Sequence, residues 1–286
     1  MSENNSRTFD LITLGQLLLR LSPPNNERLM RCDTFEKQVG GAELNVAVGV
    51  SLLGLHTGII SKLPSHDVGS FMKGKIRSYG VSDDFFIYDK SPSARVGIYY
   101  YENGAYPRKP KVIYDRANSS FYSLKIDEIP EEVYSATKCF HTSGITLALN
   151  PQVRETAIEM IKRFKAAGTL VSFDVNFRGN LWTGAEAKEC IERILPYVDI
   201  FFCSEDTARL TFLKTGTARE MMKSFAQEYP ISIVAATQRI VHSAKRPTFG
   251  SVMYDAARDE YYEEAPYRDI EVVDRIGSGD AYISGA

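Results

Sequence analysis

Short apolar runs alternate with amphipathic stretches along most of this sequence, and this alternation limits the folds that are open to it. FDLITLG at 9–15 and HTGIISKL at 56–63 have the length and composition of strands, whereas GGAELNVAVGVSLLGL at 40–55 and DVGSFMKGKIRSYG at 67–80 have helical character. Strands that alternate with helices in this way form parallel sheets covered by helices on both faces. The sequence therefore predicts a three-layer α/β/α fold with a mostly parallel central sheet.

A second strand–helix–strand unit consists of FHTSG at 140–144, PQVRETAIEMIKRFKAAG at 151–168 and TLVSFDVN at 169–176. Its helix carries apolar residues at helical spacing, which predict one buried stripe: Val153, Ala157, Met160, Ile161 and Phe164. Gly168 supplies a C-terminal stop for that helix. DIFFCS and ISIVAAT predict two more buried strands.

Two stretches, at 17–39 and 94–116, break this pattern because they consist of polar strand-like segments joined by Pro, Asn and Gly turns. In the second stretch Tyr99 and Tyr101 face one way and Tyr100 faces the other. We expect these stretches to form a small β-sheet lid over one edge of the large sheet. Two ordinary surface hairpins are the alternative.

Charge and composition exclude several partners. The 34 basic and 36 acidic residues give a net charge of −2, which favours neither nucleic acid nor an anionic membrane. No apolar run approaches the roughly 20 residues of a membrane span, and the first ten residues lack the order of a signal peptide. The four cysteines and four histidines are scattered, so we expect neither a zinc site nor a disulfide framework. We expect a cytoplasmic protein in which residues 1–286 form a single domain.

The turn Gly277-Ser278-Gly279-Asp280 has the composition of an anion-binding site. Glycines let backbone N–H groups converge at a helix N-terminus, where the helix dipole also favours negative charge. A transferring phosphoryl group needs such positioning and charge neutralisation, and Asp280 could accept a proton from a hydroxyl nucleophile. Taken alone, the same residues also describe a loop followed by an N-cap aspartate.

Two further motifs have both a functional and a structural interpretation. Gly40 and Gly41 open the first long helix, and Asn45 follows one turn later; the glycines could instead serve close packing of helix and strand. Asp174 to Arg178 lies at the carboxyl end of a strand, where open α/β sheets bind ligands. A loop held by Asp and Asn side chains is the alternative for that segment.

Taken together and in order, these motifs resemble the ribokinase-like (PfkB) carbohydrate kinases, and within that family the branch that phosphorylates 2-keto-3-deoxygluconate. The segments that carry the resemblance are LSPPNNERL, VGGAELNVAVGVSLLG, VIYDRANSS, HTSGI, FDVNFRGNLW and VVDRIGSGDA. The resemblance implies a carbohydrate kinase that uses ATP and Mg²⁺. It also implies that Asp280 is the base and that the backbone of Gly277, Ser278 and Gly279 forms the anion hole for the γ-phosphate.

The resemblance also implies contacts to the sugar. Gly40, Gly41 and Asn45 would hold sugar hydroxyls, and the acid end would meet Tyr99, Tyr114, Arg116 and Arg178. Guanidinium groups recognise carboxylates through paired, charge-assisted hydrogen bonds, which agrees with an acid sugar as substrate. A surface ion pair is the alternative for each arginine, and for Arg116 the neighbouring Asp115 is a plausible partner.

The nucleotide side departs from the family pattern. Ser204-Glu205-Asp206-Thr207 stands where many members carry Asn-x-x-Glu, and we expect Glu205 and Asp206 to stand in. The segment from 237 to 255 replaces the usual Gly-rich turn, so adenine contacts stay unassigned. We place Ser204, Glu205 and Thr237 at the nucleotide site with Gly277 and Gly279, and we assign no direct metal ligand.

Two alternatives and two expectations remain open. The family pattern continues well beyond its aspartate, whereas six residues follow Asp280, so we expect a C-terminally incomplete kinase sequence. A sugar-acid-binding protein on a truncated kinase fold is one alternative, and a fructokinase- or ribokinase-type enzyme for a neutral sugar is another. The Tyr-rich lid edge predicts a homo-oligomer that pairs through the lid.

Overall fold

The computed structural model describes residues 7–104, 107–243, 246–268, 270 and 276–286. The strands in this part of the chain form two β-sheets. The larger sheet has ten strands there and the smaller has four. The strands are β1 at Phe9–Leu14, β2 at Leu18–Ser22, β3 at Glu36–Gly40, β4 at Thr57–Pro64, β5 at Val81–Ser82, β6 at Phe86–Asp89, β7 at Gly97–Glu102, β8 at Lys111–Asp115, β9 at Thr137–Ser143, β10 at Leu170–Asp174, β11 at Ile200–Phe202, β12 at Ile233–Ser243, β13 at Arg246–Asp255 and β14 at Glu260–Glu263.

The large sheet is mostly parallel, as the sequence predicts. Its order is β14-β13-β12-β11-β10-β9-β1-β4-β5, with β6 paired to β4 beyond the main path. All neighbours from β12 to β5 pair in parallel, whereas β12, β13 and β14 pair antiparallel. The antiparallel edge is a difference from the prediction, because the ISIVAAT strand continues to Ser243 and returns as β13.

Helices cover both faces of this sheet. Those in the described residues are α1 at Ala42–Leu52, α2 at Asp67–Ser78, α3 at Val133–Ala136, α4 at Gly144–Ala148, α5 at Pro151–Ala166, α6 at Gly184–Glu192, α7 at Glu205–Leu210, α8 at Ala218–Glu228 and α9 at Ser278–Gly285. Leu11 of β1 packs against Val46 of α1 and Ile283 of α9, whereas Ile12 and Leu14 join a cluster with α5, α6 and α8. None of these helices has the length and apolar character of a membrane span.

Helix α5 shows how local signals set the elements. Asn150 Oδ1 accepts from the Val153 amide at 2.8 Å, and Pro151 occupies the first turn, where no intrahelical donor is lost. The predicted apolar stripe is fully buried. Gly168 has φ of +74°, which a glycine adopts at low cost just past the helix end. The sequence prediction for this helix is therefore confirmed.

The smaller sheet is the lid that the sequence predicts. Its order is β3-β2-β7-β8, so both predicted stretches contribute two strands each. Tyr99 and Tyr101 are buried, and Tyr100 on the opposite face of β7 is less so. The lid is continuous with the large domain, because β2 follows β1 after three residues and α1 follows β3 directly.

Candidate active site

The large sheet changes its direction of winding between β1 and β9. From β1 the chain builds outward to β4 and β5, and from β9 it builds the other way to β10, β11 and β12. Ligands in open α/β sheets bind at the carboxyl ends of the strands at such a point. Gln16 follows β1 there, Ser143 ends β9 and Asp174 ends β10. These residues mark the edge of the sheet that holds the candidate site.

The turn before α9 lies at this edge. Gly277 precedes the helix with φ of +79°, a left-handed conformation that glycine adopts without strain. Its carbonyl accepts from the Ala281 amide at 2.8 Å, while the amides of the first turn of any helix have no intrahelical acceptor. The turn thus leads into the start of a helix, and the anion hole at Gly277, Ser278 and Gly279 stays a prediction. Residues 271–275, which precede the turn, lie outside the described residues.

Asp280 is fixed by the helix that the other glycine motif opens. Asn45 Nδ2 of α1 donates to Asp280 Oδ2 at 2.7 Å. Burial raises the pKa of Asp280 to about 6, and the charge of Glu43 acts in the same direction. The hydrogen bond from Asn45 and the charge of Arg178 oppose this rise. The two motifs that are 235 residues apart in sequence thus meet at one carboxyl group.

Gly40 and Gly41 allow close approaches at the start of α1. A Cβ at position 40 would lie 2.8 Å from the Tyr99 hydroxyl, and one at position 41 would lie 2.7 Å from the Gln16 carbonyl oxygen. Gly41 also has φ of +152°. Close packing, the alternative interpretation of these glycines, is thus real, and it brings the lid tyrosine to the helix that carries Asn45.

A cleft of about 300 Å³, which we call the lid cleft, lies between the lid and the first turns of α1 and α9. Most of the predicted sugar-binding and catalytic residues line it: Gly41, Asn45, Tyr99, Tyr114, Arg116, Arg178, Gly277 and Asp280. Gly40 lines the adjoining groove with Tyr99 and Asn45. The structure therefore brings together residues from the lid, α1, the segment after β10 and α9.

Arg116 is not paired with Asp115, whose carboxylate binds Arg95 at 2.8 Å. Its Nε donates instead to Gln16 Oε1 at 2.8 Å, and burial lowers its pKa. Arg178 is exposed at the mouth of the cleft. Across the described part of the chain, neither guanidinium has a carboxylate within 4.0 Å. The ion-pair alternative is thus not observed for Arg116 or Arg178.

Glu43 is a buried residue of this site that the sequence prediction missed. Its Oε1 accepts from Ser143 Oγ at 2.6 Å and from Thr146 Oγ1 at 2.8 Å, and burial raises its pKa. A Cβ at Gly15 would lie 2.3 Å from Glu43 Oε2, so the glycine leaves room for the carboxyl group. The motif GGAELN does not indicate this burial, because an acid in the first turn of a helix is usually exposed. Glu43 is buried because it packs against the ends of β1 and β9.

A second cleft of about 240 Å³, the strand-end cleft, shares the first turn of α9 with the lid cleft. Gly279 lines it together with the predicted nucleotide-site residues Ser204 and Thr237. Asp174 also lines it, and burial raises its pKa to about 7, with a contribution from the charge of Asp280. Gly277 and Asp280 line the lid cleft, whereas Gly279 lines the strand-end cleft. The turn therefore lies between the two clefts.

One predicted nucleotide-side residue, Glu205, does not line the strand-end cleft. The Glu205 carboxylate pairs with Arg209 at 2.8 Å, and Glu205 lines a small cavity under α8 that adjoins the strand-end cleft and shares Thr237 with it. Ser204 caps α7 by accepting from the Thr207 amide at 3.2 Å. Ser278 is exposed and lines neither cleft, so only its backbone is available to the site.

Comparisons with known sequences and with solved structures both find carbohydrate kinases. The sequence pattern of the pfkB family of carbohydrate kinases matches residues 9–286. A Haloferax volcanii protein named 2-dehydro-3-deoxygalactonokinase is 34% identical over 276 residues, which cover 96% of this chain and 82% of that protein.

Two solved structures have the same fold. The 2-dehydro-3-deoxygluconokinase of Thermotoga maritima superposes with a TM-score of 0.88 at 31% identity and covers 96% of this chain and 85% of its own. An E. coli protein assigned as a ribokinase II, crystallised with ATP and Mg²⁺, has a TM-score of 0.80 at 20% identity, over 96% of this chain and 84% of its own. At 20% identity, the similarity to the E. coli protein supports the fold only.

Proposed function

This chain belongs to the pfkB family of carbohydrate kinases, and from that premise we propose that it transfers the γ-phosphoryl group of ATP to the terminal hydroxyl of 2-keto-3-deoxygluconate, also called 2-dehydro-3-deoxygluconate. The product is 2-keto-3-deoxy-6-phosphogluconate. The observation that carries the proposal is the position of the turn before α9, which lines a cleft on each side. A sugar in one cleft and a nucleotide in the other would meet at Asp280.

Asp280 acts as the general base in this mechanism. Asn45 occupies Oδ2, while Oδ1 has no hydrogen-bond partner in the described part of the chain and is left for the sugar hydroxyl. Oδ1 takes the hydroxyl proton as the oxygen attacks the γ-phosphorus in line, and ADP leaves with the electron pair of the broken P–O bond. The free amides at the start of α9 stabilise the charge on the transferring group.

The lid cleft supplies the preference for an acid sugar. Arg116 and Arg178 present cationic groups to it, and neither has a carboxylate within 4.0 Å in the described part of the chain, so a substrate carboxylate could pair with both. Arg116 is half-buried on the lid side, where charge-assisted hydrogen bonds are stronger than in water. Closure of the lid over the sugar would exclude water from the γ-phosphate and limit hydrolysis of ATP.

The donor atoms of the strand-end cleft fit Mg²⁺. This ion prefers oxygen ligands, keeps several waters and commonly needs only one or two carboxylates besides the nucleotide phosphates. Asp174 supplies such an oxygen on the cleft wall, whereas Glu205 is held by Arg209. Asp174 would hold the ion, which would neutralise charge on the phosphates; Asp206 and Glu205 are not required for this arrangement.

The second candidate substrate is the epimer of the same acid at C4, 2-keto-3-deoxygalactonate. The relative from Haloferax volcanii carries the galacto name at 34% identity, while the solved structure from Thermotoga maritima carries the gluco name at 31%. Both acids present the same carboxylate to Arg116 and the same terminal hydroxyl to Asp280. The reaction class is therefore common to the two proposals.

Replacement of Arg116 tests the proposed substrate class. Arg116→Ala should raise KM for the keto acid by about a hundredfold, because a charge-assisted hydrogen bond in a partly buried site is worth about 1.5–3 kcal/mol. Phosphorylation of fructose or ribose, if present, should change little. Lys111→Ala is the matched control, since Lys111 is an exposed cation on β8 of the same lid and does not line the lid cleft. An unchanged KM for the acid would contradict the proposal and favour a neutral sugar.

A further inference from the structure

Gln16 is a buried amide that neither the sequence motifs nor the proposed mechanism uses. It follows β1 at the carboxyl edge of the large sheet and is only 3% exposed. Burying an amide without partners is costly, so the hydrogen bonds of such a side chain show what it holds in place. All of its side-chain hydrogen bonds go to the segment that leaves the lid, Arg116 to Ser119.

Gln16 contacts Arg116 at both ends of that residue. Gln16 Oε1 accepts from Arg116 Nε at 2.8 Å, and Gln16 Nε2 donates to the Arg116 carbonyl oxygen at 3.2 Å. The same Nε2 donates to the buried hydroxyl of Ser119 at 2.7 Å. The amide thus binds the backbone and the side chain of one arginine, and it has no freedom to turn without losing these bonds.

This arrangement leaves the far end of the guanidinium available. The Nη1 and Nη2 atoms of Arg116 donate to no protein atom in the described residues, whereas Nε is occupied. The ring of Tyr114 lies 5.6 Å from the guanidinium carbon and limits its movement on one side. A planar fork that is held at Nε and free at both terminal nitrogens suits a carboxylate, which accepts two parallel hydrogen bonds.

The lid backbone is shaped around this contact. A Cβ at Gly97 of β7 would lie 2.9 Å from Gln16 Nε2 and 3.3 Å from Arg116 Cβ. A glycine at this position therefore lets the two side chains meet beneath the lid strand. Because Gln16 belongs to the large sheet and Arg116 follows the last lid strand, the contact also ties the position of the arginine to the rest of the site.

From these contacts we propose that Gln16 is a positioning residue that orients Arg116 toward the substrate carboxylate and thereby sets the preference for an acid sugar. This rests on the proposed function. Gln16 itself touches no reacting atom in the mechanism. Replacement of the Gln16 side chain should therefore weaken binding of the acid sugar but leave the phosphoryl-transfer step intact.

The test uses the full chain with Gln16→Met, which keeps the size of the side chain but removes the amide. Gln152→Met, at an exposed glutamine of α5 outside both clefts, is the matched control. In Gln16→Met, KM for 2-keto-3-deoxygluconate should rise about tenfold with kcat within about twofold, as expected for one lost hydrogen bond to a charged group. Gln152→Met should match the wild type in both constants.

A second readout is independent of the substrate. The Nε–H resonance of Arg116, identified by its absence in Arg116→Lys, should exchange slowly with water in the wild type and at least about tenfold faster in Gln16→Met. Unchanged exchange, or an unchanged KM in an active enzyme, would overturn the proposal. A wild-type chain inactive on every sugar acid would instead contradict the proposed function, while the exchange rates would still decide whether Gln16 holds Arg116.

Discussion

The carboxyl groups of Asp280 and Asp174 illustrate how burial and neighbouring charge set the chemistry of single residues. The pKa of Asp280 is raised to about 6 and that of Asp174 to about 7, mainly by burial; the charge of Glu43 contributes to both rises, and the charge of Arg178 opposes both. An aspartate with a pKa near 6 is ionised at neutral pH and is a stronger base than an ordinary aspartate. Asp174 has the higher pKa, so a bound cation would stabilise its ionised form more than that of Asp280.

The pH dependence of turnover should report the pKa of Asp280. Because only the ionised carboxylate can accept the hydroxyl proton, kcat/KM should fall about tenfold per pH unit below about pH 6 and level off above it. Asn45→Ala removes the hydrogen bond that lowers this pKa, so its acid limb should move to higher pH. The check is a pH–rate profile of both proteins; an Asn45→Ala limb at the wild-type pH would contradict the assignment.

At the scale of elements, the site depends on the contact between α1 and α9. Gly49 of α1 meets Ser284 of α9, where a Cβ would lie 2.2 Å from the serine Oγ and 2.6 Å from its Cβ. Backbone-linked atoms at such distances cannot simply rotate away, so the glycine sets how closely the two helices approach. That approach in turn fixes the distance between Asn45 and Asp280.

Gly49→Ala should therefore move α9 and lower kcat by about tenfold or more, since small displacements of a catalytic group are costly. The double variant Gly49→Ala/Ser284→Gly removes both clashing serine atoms and should restore most of the activity. Steady-state kinetics of the two variants, with circular dichroism to confirm folding, provide the check. Wild-type kcat in Gly49→Ala would show that the spacing between α1 and α9 does not affect catalysis.

Elements with strong local signals could be predicted from the sequence. The helix α5 has a cap, a periodic apolar stripe and a stop glycine, and the structure has all three. The antiparallel hairpin β12–β13 was missed because no Gly-rich turn marks it. Gln16 and Glu43 were missed for a different reason: only tertiary packing buries them, and neither belongs to a periodic pattern. The sequence motifs and the family resemblance both pointed to Asp280 and Asn45 as site residues, whereas the hydrogen bond between them could be found only in the structure.

At the scale of the whole molecule, the lid and the large domain together form the lid cleft, because Arg116 follows the last lid strand and Asp280 lies in α9. The wall of this cleft combines cationic groups from two separate segments with the carboxyl group of Asp280 from a third. Since the net charge is −2, the attraction proposed for an acid sugar would be local and would not arise from the overall charge. Strand β8 is exposed along its length at the lid edge, and pairing of lids in a homo-oligomer stays a prediction.

The most direct test of the account is a coupled ADP-release assay of this chain with Mg-ATP and four sugars in parallel: the gluco and galacto keto acids, fructose and ribose. We predict turnover with one or both acids and none with the neutral sugars. Asp280→Asn should lose at least about a hundredfold in kcat while calorimetry still detects binding of the acid. Turnover of fructose or ribose in preference to the acids, or wild-type kcat in Asp280→Asn, would contradict the account.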